Sequence, residues 1–252
     1  MGQQVAHHLT YWSHRLLDQL LPPRCLSCGT GVQAGGQNKG RICADCWQKL
    51  DFLQGPACLC CGYPFDFQVA ASLCGKCQVQ SPPYDRARAA LRYDDGSRRM
   101  IISFKHGDRT DYVDFFGQLL VQAAQSLSLE QVKSGVIVVP VPLHKKRLGK
   151  RRYNQAALLA QAFAAKKNYD YCPDLLARAK HTPPQNGNFG RRKRNVAGAF
   201  RLRAGYDQII RDRTILLIDD VYTTGATVGG CAKILKRAGA GRVEVVTLAR
   251  VC

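Results

Sequence analysis

Eight cysteines recur in a doubled pattern that dictates how the first third of the chain must be held together. Cys25-Leu26-Ser27-Cys28-Gly29 is followed after fourteen residues by Cys43-Ala44-Asp45-Cys46, and Cys58-Leu59-Cys60-Cys61-Gly62 is followed after twelve by Cys74-Gly75-Lys76-Cys77. Each C-x2-C pair turns both sulfurs toward one ion, and the glycine after the second cysteine permits a tight knuckle backbone. Two such pairs complete a tetrahedral thiolate site. Residues 25–80 are therefore expected to form a double ribbon around two Zn2+ ions, with Cys25, Cys28, Cys43, Cys46, Cys58, Cys61, Cys74 and Cys77 as ligands. Pairing within each repeat is simplest, and an interleaved pairing meets the same spacing. Four thiolates per ion leave no open coordination position, so both sites are expected to be structural. The metal stands in for a hydrophobic core that about fifty residues struggle to provide. Cys60 is surplus to the pattern, and the isolated Cys172, Cys231 and Cys252 read as ordinary small residues.

Ahead of the ribbons, Val5, Leu9, Trp12, Leu16 and Leu20 recur at helical spacing, which makes residues 5–21 of the amino-terminal segment 1–24 an amphipathic helix ended by Pro22-Pro23. It is expected to pack on the rest of the chain, with the surface of a membrane as the alternative. Arg15 and Asp18 interrupt its leucines and no small-residue cleavage site follows, which argues against a secretory signal. No apolar run approaches the ~20 residues of a membrane span. A cytoplasmic chain, in contact at most with the inner face of the membrane, is expected, and reduced paired cysteines suit that compartment.

The 252 residues, 46% of them hydrophobic, suffice for a small module joined to a medium domain and exclude wholesale disorder. Charge is unevenly spread. Residues 1–80 hold six basic and four acidic side chains, whereas 81–252 hold thirty-one and fourteen, so the second part carries +17 (31 − 14) of the net +19. Such a field attracts polyanions whatever their sequence, which points to nucleic acid or phosphate-rich small molecules as partners.

From Ser81-Pro82-Pro83 onward strands and helices alternate. Ala87 to Tyr93, Val136 to Val141, Ile215 to Ile218 and Val243 to Leu248 read as strands; Val113 to Ala124, Asn154 to Ala165 and Ala226 to Ala238 read as helices. Residues 81–252 are thus expected to be an α/β domain, a parallel sheet covered by helices with ligands at the carboxyl ends of its strands. The run Ile215-Leu216-Leu217-Ile218-Asp219-Asp220-Val221-Tyr222-Thr223-Thr224-Gly225-Ala226-Thr227 is the most informative segment. Four apolar residues carry the chain through the sheet, two acids follow, and a Thr/Gly turn opens a helix whose positive end suits a phosphate. The acids can accept hydrogen bonds from a pair of sugar hydroxyls. A ribose 5-phosphate suits these groups better than a triphosphate, since no P-loop lysine is present. Two basic segments accompany this site: six basic residues within 145–152, and Arg191-Arg192-Lys193-Arg194. A basic loop can stabilise a departing pyrophosphate, a role for which Arg151 and Arg152 are placed, and Lys145, Lys146, Arg147, Arg191, Arg192, Lys193 and Arg194 can grip a phosphodiester backbone.

The thirteen-residue run resembles the phosphoribosyl pyrophosphate (PRPP) motif of type I phosphoribosyltransferases. That resemblance implies a Rossmann-like parallel sheet with a smaller hood, and Mg2+ carried on the pyrophosphate. It assigns Asp219 and Asp220 to the ribose hydroxyls, and Thr223, Thr224, Gly225, Ala226 and Thr227 to the 5-phosphate. Purine-salvage members usually place an aspartate where this chain has Thr223, which argues against purine salvage. The doubled ribbons, the stretch from Pro82 to Gly107, Val139-Pro140-Val141-Pro142 with Arg151-Arg152-Tyr153-Asn154-Gln155, Thr182-Pro183-Pro184-Gln185, and the PRPP run together resemble the ComF/GntX family over nearly the whole chain from Cys25. The family implies a cytoplasmic factor of natural transformation that handles incoming single-stranded DNA. Two alternatives stand beside this: a working transferase in which a nitrogen nucleophile attacks C1 of PRPP, and a PRPP-sensing adaptor whose ribbons bind a helicase or recombination protein.

Overall fold

The computed structural model describes residues 24–32, 41–67, 72–106, 109–132, 135–143, 153–179 and 198–252. The expected amino-terminal helix lies outside them. The chain divides into two compact units, Met1–Leu50 and Asp51–Cys252, so the division falls between the two halves of the cysteine repeat. The first unit holds one ribbon and a short helix, α1 (Ala44–Gln48). The second opens with the other ribbon and its short helix α2 (Gly75–Val79), then continues into the sheet.

The sheet is the α/β architecture expected from the alternation. Its strands are β1 (Arg86–Arg92), β2 (Val136–Pro140), β3 (Asp170–Tyr171), β6 (Thr214–Tyr222) and β7 (Arg242–Arg250), in the order β1-β7-β6-β2-β3 and all parallel. A separate antiparallel pair joins β4 (Leu176–Arg178) to β5 (Phe200–Leu202). Parallel strands need helical crossovers on both faces, which is why β2 is buried at every position and β7 at all but its first.

The helices are α3 (Asp95–His106), α4 (Tyr112–Ala124), α5 (Gln155–Lys167), α6 (Asp207–Ile210) and α7 (Ala226–Arg237). Ile137, Val139, Ile215, Leu217, Val243 and Val245 share one cluster with Val228, Cys231 and Leu235 of α7. Side chains alternate along a strand, so Val138, Leu216, Ile218 and Val246 leave toward the opposite face, where α4 and α5 pack on each other and on the sheet. Helix α3 is not expected from the sequence, because Met100, Ile101 and Ile102 run together and hide the helical period. In the structure Met100, Ile101 and Phe104 are wholly buried, and the Phe104 ring meets Phe116 edge-on at 5.4 Å.

The connections leave neighbouring β6 and β2 in opposite directions, β6 through α7 to β7 and β2 through α5 to β3. Chains that diverge in this way open a crevice beyond the carboxyl ends of the two strands.

Candidate functional site

Both halves of the cysteine pattern fold by the same local bonds. Gly29 N–H donates to the Cys25 carbonyl and Gly62 N–H to the Cys58 carbonyl, each at 2.9 Å; Cys43 N–H donates to Cys25 Sγ and Cys74 N–H to Cys58 Sγ, each at 3.3 Å. The sulfurs converge within each repeat, Cys25, Cys28, Cys43 and Cys46 in one quartet and Cys58, Cys61, Cys74 and Cys77 in the other, all within 4.8 Å of one another. Cys28 and Cys43 Sγ are 3.7 Å apart, and Cys61 and Cys74 Sγ 3.6 Å. Tetrahedral zinc with bonds of ~2.3 Å sets its sulfurs about 3.8 Å apart, so both quartets fit the ion, paired within the repeats. Cys60 stays out of the quartet, half-buried, and burial pushes its thiol up to about 11.

Elsewhere in the second unit, β6 continues through both acids to Tyr222. Because side chains alternate, Asp219 and Asp220 part to opposite faces. Asp220 meets Lys105 at the end of α3, Nζ to Oδ2 3.0 Å, both side chains about one-fifth exposed. Asp219 Oδ1 accepts the Asp220 backbone N–H at 2.9 Å. Burial pushes the Asp219 carboxyl up to about 7, reinforced by the charge of Asp220 and opposed by Lys105 and Arg178. Two residues of the Tyr153-Asn154-Gln155 segment secure Lys105: Tyr153 Oη donates to the Phe104 carbonyl at 3.1 Å and Gln155 Nε2 to the Lys105 carbonyl at 3.2 Å. Between them, Asn154 caps α5 by accepting the Ala156 N–H at 3.2 Å and donates to the Val141 carbonyl at 3.3 Å.

Past Tyr222 the chain turns through an exposed Thr223 and half-buried Thr224, Gly225, Ala226 and Thr227 into α7. Gly225 is the N-cap, with φ +76° and no side chain to cap the helix, while Thr224 Oγ1 accepts the Ala226 N–H at 3.3 Å. The first turn of α7 thus starts at the carboxyl end of β6, where the helix dipole favours an anion. Arg151, Arg152, Lys145, Lys146, Arg147, Arg191, Arg192, Lys193 and Arg194 lie outside the described residues. Lys105 is a site residue that the sequence did not single out, since a lysine in a helix carries no local sign of the acid it meets 115 residues later.

An open cleft of about 450 Å³ lies at the opposite, amino-terminal end of the strands, lined by residues that include Arg86, Thr214, Gly241 and Arg242. Both arginines there are bound to the buried Glu244, Arg86 at 3.2 Å and Arg242 at 2.5 Å. No described helix is long and apolar enough to cross a membrane.

A family model for a double zinc ribbon domain matches residues 16–78. The chain is similar to competence protein F of Haemophilus influenzae, 29% identical over 229 residues that cover 90% of this chain and 96% of that protein. It is similar to DNA utilization protein YhgH of Escherichia coli strain K12, 30% identical over 235 residues that cover 91% and 98%. Among solved structures, a hypoxanthine phosphoribosyltransferase from Staphylococcus aureus aligns with 56% of this chain and 64% of its own at 13% identity, with a TM-score of 0.37, too distant a likeness to bear on the site.

Proposed function

The chain belongs to the family of competence protein F and DNA utilization protein YhgH, and from that premise we propose that it binds PRPP at the β6–α7 turn and handles incoming single-stranded DNA through its basic segments. The observation that carries the reading is the turn itself. The amino-terminal turn of α7, threonine hydroxyls and two flanking acids lie at the carboxyl end of β6, where β6 and β2 diverge. In this reading Asp219 and Asp220 hold the ribose hydroxyls from either side of the strand end, and residues Thr223 to Thr227 hold the 5-phosphate. Lys105 holds Asp220 in place until the sugar arrives.

Magnesium enters on the pyrophosphate. The +17 charge of residues 81–252 supports a polyanionic partner, bound with little sequence preference and strong dependence on salt. Arg151 and Arg152 are assigned to the pyrophosphate; Lys145, Lys146, Arg147 and Arg191 to Arg194 to DNA. The setting is the cytoplasm, where incoming strands and PRPP meet.

Calorimetric titration with PRPP and Mg2+, and with a short single-stranded DNA, separately and together, tests the proposal. PRPP is expected to bind the chain and to lose about tenfold or more in affinity in Asp220→Asn, by loss of a charge-assisted hydrogen bond. DNA affinity is expected to fall when Arg191, Arg192 and Arg194 become alanine. An Asp220→Asn chain that binds PRPP like the parent overturns the sugar site, and unchanged DNA affinity at moderate salt overturns the DNA assignment. Pyrophosphate release from PRPP with a panel of bases and amines decides whether transfer follows binding.

A further inference from the structure

Arg250, the last residue of β7, is 5% exposed, and among the described residues no carboxylate pairs with it. A guanidinium so buried requires compensation from elsewhere. It donates to the Cys61 carbonyl and lies over two rings, 5.4 Å from the Tyr63 centroid and 4.6 Å from that of Tyr222. Cys61 belongs to the second quartet, and a divalent ion on four thiolates has a net charge of −2 (2 − 4). A metal–thiolate cluster at this quartet would supply the missing counter-charge.

The other side of Arg250 leads to the turn. Tyr222 is 7% exposed, and its hydroxyl is 2.7 Å from that of Tyr84, itself buried. A Cβ on Gly225 would collide with the Tyr222 hydroxyl, so the left-handed turn closes directly against it. The ring held by Arg250 thus closes against the turn at Gly225. One unbroken run of contacts joins the Cys61 carbonyl, Arg250, Tyr222 and Gly225.

We infer that Arg250 is a positioning residue that couples the second cysteine quartet to the turn, so that zinc at Cys58, Cys61, Cys74 and Cys77 and a sugar phosphate at Thr223–Thr227 each strengthen the binding of the other. The inference rests on the sugar-phosphate reading of the turn. With the cluster formed, Arg250 is clamped between it and Tyr222; without the cluster the guanidinium loses its counter-charge and the ring loses its clamp. Two states of one buried pair are then biased by both sites, and the coupling is reciprocal by thermodynamic necessity.

The test uses the full chain and follows zinc transfer to a chromophoric chelator, with and without PRPP and Mg2+. The Cys28→Ser chain, which lacks the first quartet, reports the second site alone. PRPP is expected to slow release from the second site about tenfold and to leave the first site's release unchanged. Arg250→Met, with both zinc ions retained and a normal thermal transition, is expected to lose that protection and about tenfold in PRPP affinity; Arg250→Lys, which keeps the charge, is expected to fall between. A parent chain that binds PRPP while both sites release zinc as before overturns the coupling and leaves the sugar-phosphate reading intact. So does an Arg250→Met chain with parental affinity. A parent chain that binds no PRPP removes both. Should Arg250→Met fail to fold, the parent and Cys28→Ser release rates decide alone.

Discussion

The two ribbons share a spacing, a set of backbone hydrogen bonds and a sulfur geometry, yet they live in different surroundings. In the first, Cys28 is exposed and the knuckle belongs to a unit of its own. In the second, three of the four ligands are buried, and the knuckle is stitched to the sheet by the Ala87 N–H, which donates to the Cys60 carbonyl at 2.7 Å, and by Arg250. Leu53 and Arg92 extend that seam: Leu53 N–H donates to the Ala90 carbonyl at 3.0 Å, and Arg92 pairs with Asp51 at 2.5 Å. Identical local chemistry thus yields a metal knot within a small unit in one place and a component of a larger core in the other. What a metal site does for a fold depends on what the knuckle touches.

The most severe way to probe this contrast is to remove one ligand from each quartet. Cys58→Ser, at a wholly buried position, is expected to lose one zinc equivalent and to lower the melting point of the sheet unit by roughly 10 °C or more. Cys28→Ser is expected to lose one zinc equivalent with the sheet's transition in place. Metal analysis and thermal denaturation of the two variants check the pair, and equal effects on the sheet would erase the distinction.

A finer probe uses the glycine at the same place in each knuckle. Gly29 has φ +80° and open space within 4 Å of where a Cβ would stand, whereas Gly62 has φ +68° and a Cβ there would collide with the Ala87 carbonyl oxygen. Gly29→Ala is expected to cost about 1 kcal/mol, from left-handed strain alone. Gly62→Ala adds a backbone collision and is expected to cost about 3 kcal/mol. Denaturant titration separates the two.

The smallest effect tests whether the second ribbon and the acids of β6 share one cooperative unit. Burial pushes the Asp219 carboxyl up to about 7 in the folded protein, above the ordinary carboxylate value of about 4 in an unfolded chain. The native state therefore binds more protons between those values, and the ligand-free protein loses stability as pH rises from about 4 to about 7. Asp219→Asn is expected to remove that loss, with a gain in stability at pH 8 and none at pH 4. It is also expected to slow zinc release from the second quartet at pH 8 and not from the first. A melting point unchanged at pH 8 breaks this account.

The cysteine ligands, the strand–helix alternation and the Asp219–Thr227 run were all legible in the chain, because each is a local pattern. Ligand spacing, side-chain alternation and a glycine turn act over a few residues, and nothing distant can cancel them. Pairing of the sulfurs within each repeat was open in the sequence and closed by the fold, which brings each knuckle to the nearer pair. Helix α3 was hidden by its consecutive apolar residues, and its end supplies Lys105.

By itself, then, the sequence determined the kinds of groups present: two cysteine quartets, an Asp-Asp strand end with a Thr/Gly turn, and a strongly basic second part. Only the tertiary structure decided which of these meet. The contacts of Lys105 with Asp220 and of Arg250 with Cys61 join residues 115 and 189 positions apart. Such partners are selected by the order of strands in the sheet and the faces its helices cover, and no local rule of spacing encodes that choice.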